Sequence, residues 1–358
     1  MKVAFITRST LYSVPGGDTV QVVQTAGHLA AIGVDVEIKL ANEAIPYADF
    51  DLLHFFNITR PADILSHSAR AKKPFVVSTI MCDYSEYDKY HTKGLRALLG
   101  KLPAGSIEYF KTIARWFLGK DKLASMAYLW LGQHNSIKKI LREAALVLPN
   151  SLSEYRRIVG TYAYRSEYKV VTNGINTSLF NISGQPVRNH ELVICVARIE
   201  GIKNQLNLIK ALNNTRFTLL LIGSAAPNQQ SYYEECRAIA ARNVQFINHI
   251  PQQELLSFYR LAKVHVLPSW FETTGLSSIE AAAMGCNIVI TDKGDTREYF
   301  EDDAFYCDPA RPDSILAAIE RASEAEYNQN LQKRIEQKFT WQRAALQTYQ
   351  AYQLAYSA

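Results

Sequence analysis

Short, unbroken apolar runs alternate with helical stretches from one end of the chain to the other, and this alternation limits the possible folds more than any other feature. In the first half the runs are Val3–Thr7, Val34–Leu40, Leu52–Phe56, Phe75–Ile80, Leu146–Leu148 and Tyr168–Thr172. In the second half they are Leu192–Ala197, Phe217–Ile222, Val244–Ile247, Val264–Leu267 and Asn287–Thr291. They are continuously apolar rather than alternating, which is the pattern of parallel strands covered on both faces. Helical patterns fill the intervals, among them Thr19–Ala31 closed by Gly33, and Gln205–Leu212. Repeated β-α units of this kind predict an α/β fold with open parallel sheets.

A chain of 358 residues is long for one hydrophobic core, and the length suggests about two domains. The polar segment Asn181–Glu191, with Gly184 and Pro186, interrupts the alternation halfway and reads as the entry into the second domain. The expectation is two doubly wound, Rossmann-like domains facing across a cleft, residues 1–174 and 175–339, with a C-terminal helix over 340–358 returning to the first. In that architecture ligands sit beyond the carboxyl ends of the strands.

Composition excludes several classes. With 48% apolar and 20% charged residues, the chain is neither disordered nor fibrous. Apolar runs such as Phe217–Ile222 and Ala281–Met284 are too short to cross a bilayer. Met1-Lys2 leads straight into a strand-like run, so no signal peptide is expected. Cys82, Cys195, Cys236, Cys286 and Cys307 are scattered and form no CxxC pair, which reads as reduced thiols in the cytoplasm rather than a disulfide frame or zinc site. The net charge of +5 suits an acidic ligand or an anionic membrane without requiring either, and nucleic acid is not an expected partner.

Residues 86–142 depart from the β-α pattern. Lys89, Lys93, Arg96, Lys101, Lys111, Arg115, Lys120, Lys122, Lys138, Lys139 and Arg142 are interleaved there with Leu98, Leu99, Phe110, Trp116, Phe117 and Trp130. Basic residues mixed with large apolar ones on helices suit a membrane surface or an anionic acceptor. They equally suit an amphipathic insertion packed on its own domain with its lysines in water.

The chemistry concentrates in PSWFETTGLSSIEAAAMGC, residues 268–286. The strand Val264–Leu267 ends here, Pro268–Gly275 forms a loop, and Leu276 or Ser277 opens a helix that carries Glu280. Backbone N–H groups at a helix start favour an anion. Glu272 in the loop and Glu280 one turn into the helix can accept hydrogen bonds from paired hydroxyls of a sugar or ribose. An anion on amides flanked by acids for hydroxyls describes a nucleotide sugar. In CVARIEGIKN, Arg198 ends a strand and Lys203 opens the next helix, two cations suited to a departing diphosphate, or simply solvated at a helix start.

Two weaker signals accompany these. SVPGGDTVQ places Gly16 and Gly17 where backbone can approach a ligand closely, with Asp18 or Thr19 to cap the helix behind. VVTNGINTSLF places Asn173-Gly174 at a strand end, where an ordinary turn is the plainer reading. The GxGxxG fingerprint of dinucleotide enzymes is absent, which disfavours hydride transfer. Asp49-Phe50-Asp51 matches a metal-binding Asp-x-Asp in form, but it precedes a strand rather than following one, and chance is the better account.

Taken in order, TNGIN, VARIEGIK, LLLIGS and PSWFETTGLSSIEAAAMG resemble the retaining glycosyltransferases of family 4, which have the GT-B fold. The likeness runs well from about Thr172 to the end and is patchier before it. It implies that Arg198 and Lys203 hold the donor phosphates and that Glu280 binds the ribose. Glu272 then contacts the transferred sugar, with the amides of Thr274, Gly275 and Leu276 serving phosphate and sugar. It further implies that His249 and Ile250 lie near the base beside Gly223, and that Gly16 and Gly17 form the first-domain loop that closes on the donor. Many members carry a His after the fourth strand, where FVVSTIMCDYSEY has Met81 with Asp83 close by. His54, in DLLHFFN, is either a partial substitute at a strand end or a satisfied core histidine. Asn176 stands where an Asp is usual.

The resemblance implies transfer of a sugar from a nucleotide-diphosphate sugar to a hydroxyl of a glycan or lipid-linked acceptor. It implies no cofactor beyond the donor and no metal. The setting would be surface polysaccharide or glycolipid synthesis, in the cytoplasm or peripherally at the inner face of the membrane through residues 86–142. A sugar-nucleotide epimerase on the same fold and a non-catalytic nucleotide-sugar binder remain alternatives.

Overall fold

The computed structural model describes residues 1–91, 126–182 and 187–357. The chain forms two compact units. Unit 1 comprises Met1–Met81, Asp88–Asn173 and Trp341–Ala358, and unit 2 comprises Cys82–Tyr87 with Gly174–Thr340.

Unit 1 is built on five parallel strands, β1 (Lys2–Thr7), β2 (Asp35–Leu40), β3 (Leu52–Phe56), β4 (Phe75–Ser78) and β5 (Leu146–Leu148). Their order in the sheet is β2-β1-β3-β4-β5. The interior strands β3 and β4 are buried along their whole length, as their continuous apolar sequences require, whereas the edge strand β2 is only half-buried. Local signals set the helix ends. Gly33, at φ 86°, ends the helix Gly17–Ala31, and its amide bonds the Ala30 carbonyl at 3.0 Å. The Ser151 hydroxyl caps the helix Leu152–Tyr162 by accepting from the Glu154 amide. Gly132, at φ 67°, interrupts the helix Met126–Glu143. The last helix, Trp341–Ser357, packs in this unit and sends Tyr352 into its core.

Tyr168–Thr172 does not form the expected strand. Only an isolated bridge joins Tyr168 to Val147, and Lys169 and Val171 donate singly to the carbonyls of Val147 and Pro149. Tyr168 is itself exposed, stacked at 3.7 Å on Tyr155, so its apolar character does not mark a buried strand face.

Unit 2 has six parallel strands, β6 (Asn189–Val196), β7 (Thr218–Ile222), β8 (Val244–Ile247), β9 (Ala262–Leu267), β10 (Asn287–Thr291) and β11 (Phe305–Cys307), in the order β11-β10-β9-β6-β7-β8. The strand β6 starts at Asn189, inside the segment expected to be a linker. Connections run outward from β6 to β7 and β8, then return to β9 and run the other way. The order therefore reverses between β6 and β9, and the carboxyl end of the sheet at such a switch point is where doubly wound sheets have their ligand crevice. All six residues of β9 and all five of β10 are buried. Each Val or Ile in them contributes about 1.5–3 kcal/mol by leaving water, so the backbone under the crevice is rigid.

Among the described residues no helix is long and apolar enough to cross a membrane. Of the basic-aromatic region, residues 92–125 lie outside the described residues, Lys111, Arg115, Trp116, Lys120 and Lys122 included. Trp130 is described and is 87% exposed.

Candidate active site

The reversal point in unit 2 gathers the charged residues singled out in the sequence. The loop after β6 carries Arg198, Gly201 and Lys203, and the loop after β9 carries Ser269 and Glu272. Two contacts fasten these loops together. Asn204, in the left-handed region at φ 61°, donates from its buried side chain to the Pro268 carbonyl at 3.0 Å and to the Pro309 carbonyl at 2.7 Å. The Trp270 amide bonds the Ile202 carbonyl at 2.9 Å. With the loops fixed, Lys203 Nζ reaches Glu272 Oε2 at 2.7 Å. Burial lowers the Lys203 pKa, and the Glu272 carboxylate more than offsets this, so the ammonium stays charged with a raised pKa.

Glu272 is anchored on one side only. Its Oε2 also accepts from Ser269 Oγ at 3.0 Å, while Oε1 has no partner among the described residues. Backbone bonds from Glu272 N to Lys293 O and from Asp295 N to Glu272 O hold the loop from behind. Gly294, at φ 99°, makes this possible, because a Cβ there would lie 2.1 Å from the Glu272 carbonyl oxygen.

Gly275 caps the helix Leu276–Ala283 in a left-handed conformation, φ 71°. Thr274 and Leu276 flank it, Thr274 buried with its hydroxyl 3.3 Å from the Tyr299 phenol. Helix-start amides and a nearby ammonium make this end of the unit suited to an anion. Glu280, one turn in, is buried and accepts from Gln252 Nε2 at 2.9 Å and from Tyr259 Oη at 3.2 Å. Burial pushes its pKa up to about 7, against the opposing pull of these two donors. A buried carboxyl with two neutral donors and no cation is poised to take further donors, such as ribose hydroxyls.

Other expected residues of unit 2 flank this group. Gly223 follows β7 at φ 149°, and a Cβ there would come within 2.0 Å of the Ala197 carbonyl oxygen. The His249 amide, after β8, bonds Ser224 Oγ at 3.2 Å, its side chain is exposed, and Ile250 packs partly buried on the core. Arg198 pairs with Glu200 at 3.0 Å on the exposed side of the loop. The segment Cys82–Tyr87 lies against the same loops. A side chain at Gly201 would meet the Tyr87 hydroxyl at 1.9 Å, and Glu86 pairs with Lys293 at 3.5 Å. Burial, reinforced by Glu272, pushes the Cys82 thiol up to about 12, so it stays protonated. Asp83 accepts from the Ser85 amide at 2.8 Å and thereby caps the helix Ser85–His91.

Unit 1 holds the remaining expected residues, and two readings are corrected. His54 is the middle residue of β3, not a strand end, and it is buried. Its Nδ1 meets Tyr352 Oη at 2.6 Å and its Nε2 meets Ser78 Oγ at 2.8 Å, with its ring stacked on Phe56. Burial lowers its pKa to about 3, so it is a neutral core histidine, not a substitute for an active-site one. Neither Asp18 nor Thr19 is the N-cap of the first helix. That position is Gly16, in extended backbone, with Thr19 Oγ1 accepting from its amide at 3.0 Å and Asp18 paired with Arg8 at 2.6 Å. Arg8 also donates to the Thr10 and Val14 carbonyls, so it shapes the loop leading to Gly16 and Gly17. Met81 is held through its backbone, its amide on Glu154 and its carbonyl on Arg157. Asn173, buried, is the last residue of this stretch of unit 1. Asp51 accepts from the Lys2 amide at 2.7 Å, so the Asp-x-Asp triplet ties the start of β1 to its neighbour.

Sequence reasoning did not pick out Asn204, Ser269, Tyr87 or Arg8. Asn204 follows Lys203 directly, and an Asn before a helix was the available signal. The other three act through partners between 3 and 114 positions away, which no local pattern reveals.

Residues 181–339 match the family model described as glycosyl transferases group 1. An uncharacterized glycosyltransferase of Methanocaldococcus jannaschii is 27% identical over 210 residues, 52% of this chain and 54% of that protein. The MMP α-(1→4)-mannosyltransferase of Mycolicibacterium hassiacum is 27% identical over 242 residues, 63% of this chain and 58% of that one. The matched stretch thus spans a little over half the length of these relatives. Among solved structures, sucrose-phosphate synthase of Thermosynechococcus elongatus superposes over the whole of both chains with TM-score 0.73 at 16% identity. HepE of Anabaena in complex with UDP-glucose gives TM-score 0.70 at 18% identity over 99% of each chain. The two parallel-sheet α/β domains are therefore of the GT-B type. The family match itself lies within unit 2.

Proposed function

We propose that the protein is a retaining, metal-independent glycosyltransferase. It moves a sugar from a nucleotide-diphosphate sugar to a hydroxyl acceptor, in surface polysaccharide or glycolipid synthesis. The observation that carries this reading is the placement of Lys203, Glu272 and the Gly275-capped helix at the strand-order reversal of unit 2, with Glu280 buried just inside it. The likeness to a mannosyltransferase and to a protein solved with UDP-glucose supports a nucleotide-sugar donor.

In this reading the diphosphate lies against Lys203, Arg198 and the amides at Gly275 and Leu276. Glu280 accepts from the ribose hydroxyls, and Oε1 of Glu272 accepts from a hydroxyl of the transferred sugar. The base lies beside Gly223 and the His249–Ile250 backbone. The bond from the anomeric carbon to the phosphate oxygen breaks, and its electron pair passes to the β-phosphate. The acceptor oxygen bonds the same face of the sugar, and its proton goes to the departing phosphate. The charge that grows on that phosphate meets the fixed Lys203 ammonium and a helix start, which require no reorganisation, with the Arg198 guanidinium alongside. Acceptor choice falls to unit 1, and residues 86–142 supply peripheral attachment to an anionic membrane.

A thermal-shift panel of UDP-, GDP- and ADP-sugars tests the binding half of the proposal. One donor class should raise the melting temperature in the wild type and fail to do so in Glu280→Gln, because a ligand specific for the folded state stabilises it by mass action. No response to any nucleotide sugar would refute it. Turnover of the donor without a new glycoside would assign epimerisation, and binding with no turnover on any acceptor would assign a binding component.

A further inference from the structure

Unit 2 contains a second concavity, at the opposite end of its sheet. A cavity of 990 Å³ lies at the amino ends of β6, β9 and β10, where Arg188, His190, Lys263 and Asn287 meet Glu326 and Tyr327 from the far side. Doubly wound sheets place ligands at the carboxyl ends of their strands, so this cavity is separate from the crevice described above.

Its floor is fixed. The Arg188 guanidinium donates to the Tyr259 carbonyl at 2.9 Å and to those of Ala262 and Met284 at 2.5 Å each. Gly285, at φ 80°, gives it room, since a Cβ there would stand 2.8 Å from both Arg188 Nη2 and the Tyr327 ring. Asn287 is likewise held, donating to the Ala322 and Ala325 carbonyls. Two polar groups in the cavity wall are not satisfied. Lys263, the second residue of β9, is 6% exposed, and its ammonium has no hydrogen bond or ion pair among the described residues. Burial and the adjacent Arg188 lower its pKa, against the opposing pull of Glu326. The Tyr327 hydroxyl is enclosed with no partner among the described residues. A hydroxyl enclosed without a partner in this way destabilises the folded chain unless something occupies it, and the Lys263 ammonium stands open to the same cavity.

The chemistry of the occupant follows from what surrounds these donors. Lys263 and Tyr327 offer donors to an anionic oxygen, with the Arg188 charge behind them. Glu326, Asp302 and Asp303, also in the lining, would repel a bare anion but accept from hydroxyls. The volume exceeds that needed for an ion alone. We infer that the cavity binds a phosphorylated sugar, with its phosphate on Lys263 and Tyr327 and its hydroxyls toward Glu326. This site does not depend on the donor reading of the crevice.

Calorimetric titration of the full chain with glucose 6-phosphate, inorganic phosphate and glucose tests it. Glucose 6-phosphate should bind the wild type and lose about tenfold in affinity, or 1.4 kcal/mol, in Lys263→Met. Tyr327→Phe, which removes only the hydroxyl, should also weaken it and serves if Lys263→Met does not fold. Binding should persist in Glu280→Gln, which separates this site from the crevice. Absence of binding, or equal affinity in the wild type and both cavity variants, would overturn the inference. Inorganic phosphate binding as tightly as glucose 6-phosphate would overturn the sugar part and leave an anion site.

Discussion

Replacing Glu280 with Gln should stabilise the protein at alkaline pH while impairing nucleotide binding, and the sign follows from its surroundings. The carboxyl is buried with Gln252 and Tyr259 as its donors, and burial raises its pKa from 4.5 to about 7. A folded-state pKa above the unfolded one means that the native state holds the proton more tightly. Stability from this group is therefore present at acid pH and is lost as pH rises from about 4.5 through about 7. The displacement corresponds to about 3 kcal/mol at pH 8. The substituted amide keeps one acceptor and one donor for the same neighbours and never ionises, so the variant avoids that loss. Urea denaturation of wild type and Glu280→Gln at pH 4.5 and pH 8 measures it. The two should be alike at pH 4.5, and the variant should be more stable at pH 8 by an amount approaching that figure, while its affinity for the free nucleoside diphosphate falls. Equal stability at both pH values, or an equal gain at both, would refute this account of the carboxyl.

Lys203→Ala should slow sugar transfer by about 10²–10³, the scale for loss of one preorganised electrostatic group, and Lys203→Arg should recover part of it in the same radiolabel assay. Asn204→Ala removes two buried hydrogen bonds, one that joins the loops after β6 and β9 and one to the loop after β11, and should cost about 2–3 kcal/mol in urea unfolding. His54, held neutral with a pKa near 3 against the usual 6.5, contributes stability that is present above pH 6.5 and lost as pH falls toward 3. His54→Gln should therefore make the acid limb of stability between pH 6.5 and pH 4 shallower by about 3 kcal/mol and leave transfer at pH 7.5 intact. Flotation with phosphatidylglycerol vesicles at low salt should carry the wild type, at about 1 kcal/mol per cation near the surface, and lose it when Lys111, Arg115, Lys120 and Lys122 are neutralised.

Strands were the most legible part of the sequence, because a strand covered on both faces has no choice but to be apolar throughout. The runs at β3, β8 and β10 coincide with the strands residue for residue. Legibility failed where apolar character and burial part company. Tyr168–Thr172 is apolar at its start yet exposed there, and β11 is only three residues long with just Cys307 fully buried. In the candidate site, spacing singled out the two Glu positions and the Arg/Lys pair, and the structure brings Lys203 and Glu272 into contact. That coupling was not legible. The 2.7 Å contact between Lys203 and Glu272 joins residues 69 apart, and it exists because Asn204 and Trp270 fasten two loops whose strands are neighbours only through the reversed order of the sheet. His54 shows the converse. Its position in a strand was legible, but the Tyr352 hydroxyl that satisfies it comes from 298 residues away.

Transfer with retention is the central claim, and proton NMR of the reaction mixture tests it most directly. The protein would be incubated with the nucleotide sugar that stabilises it and a hydroxyl acceptor, in buffer containing EDTA. The account predicts loss of the donor's anomeric signal, release of the nucleoside diphosphate, and a new glycoside signal with the donor's own anomeric configuration. A product of inverted configuration, or activity that appears only when a divalent metal is restored, would contradict it.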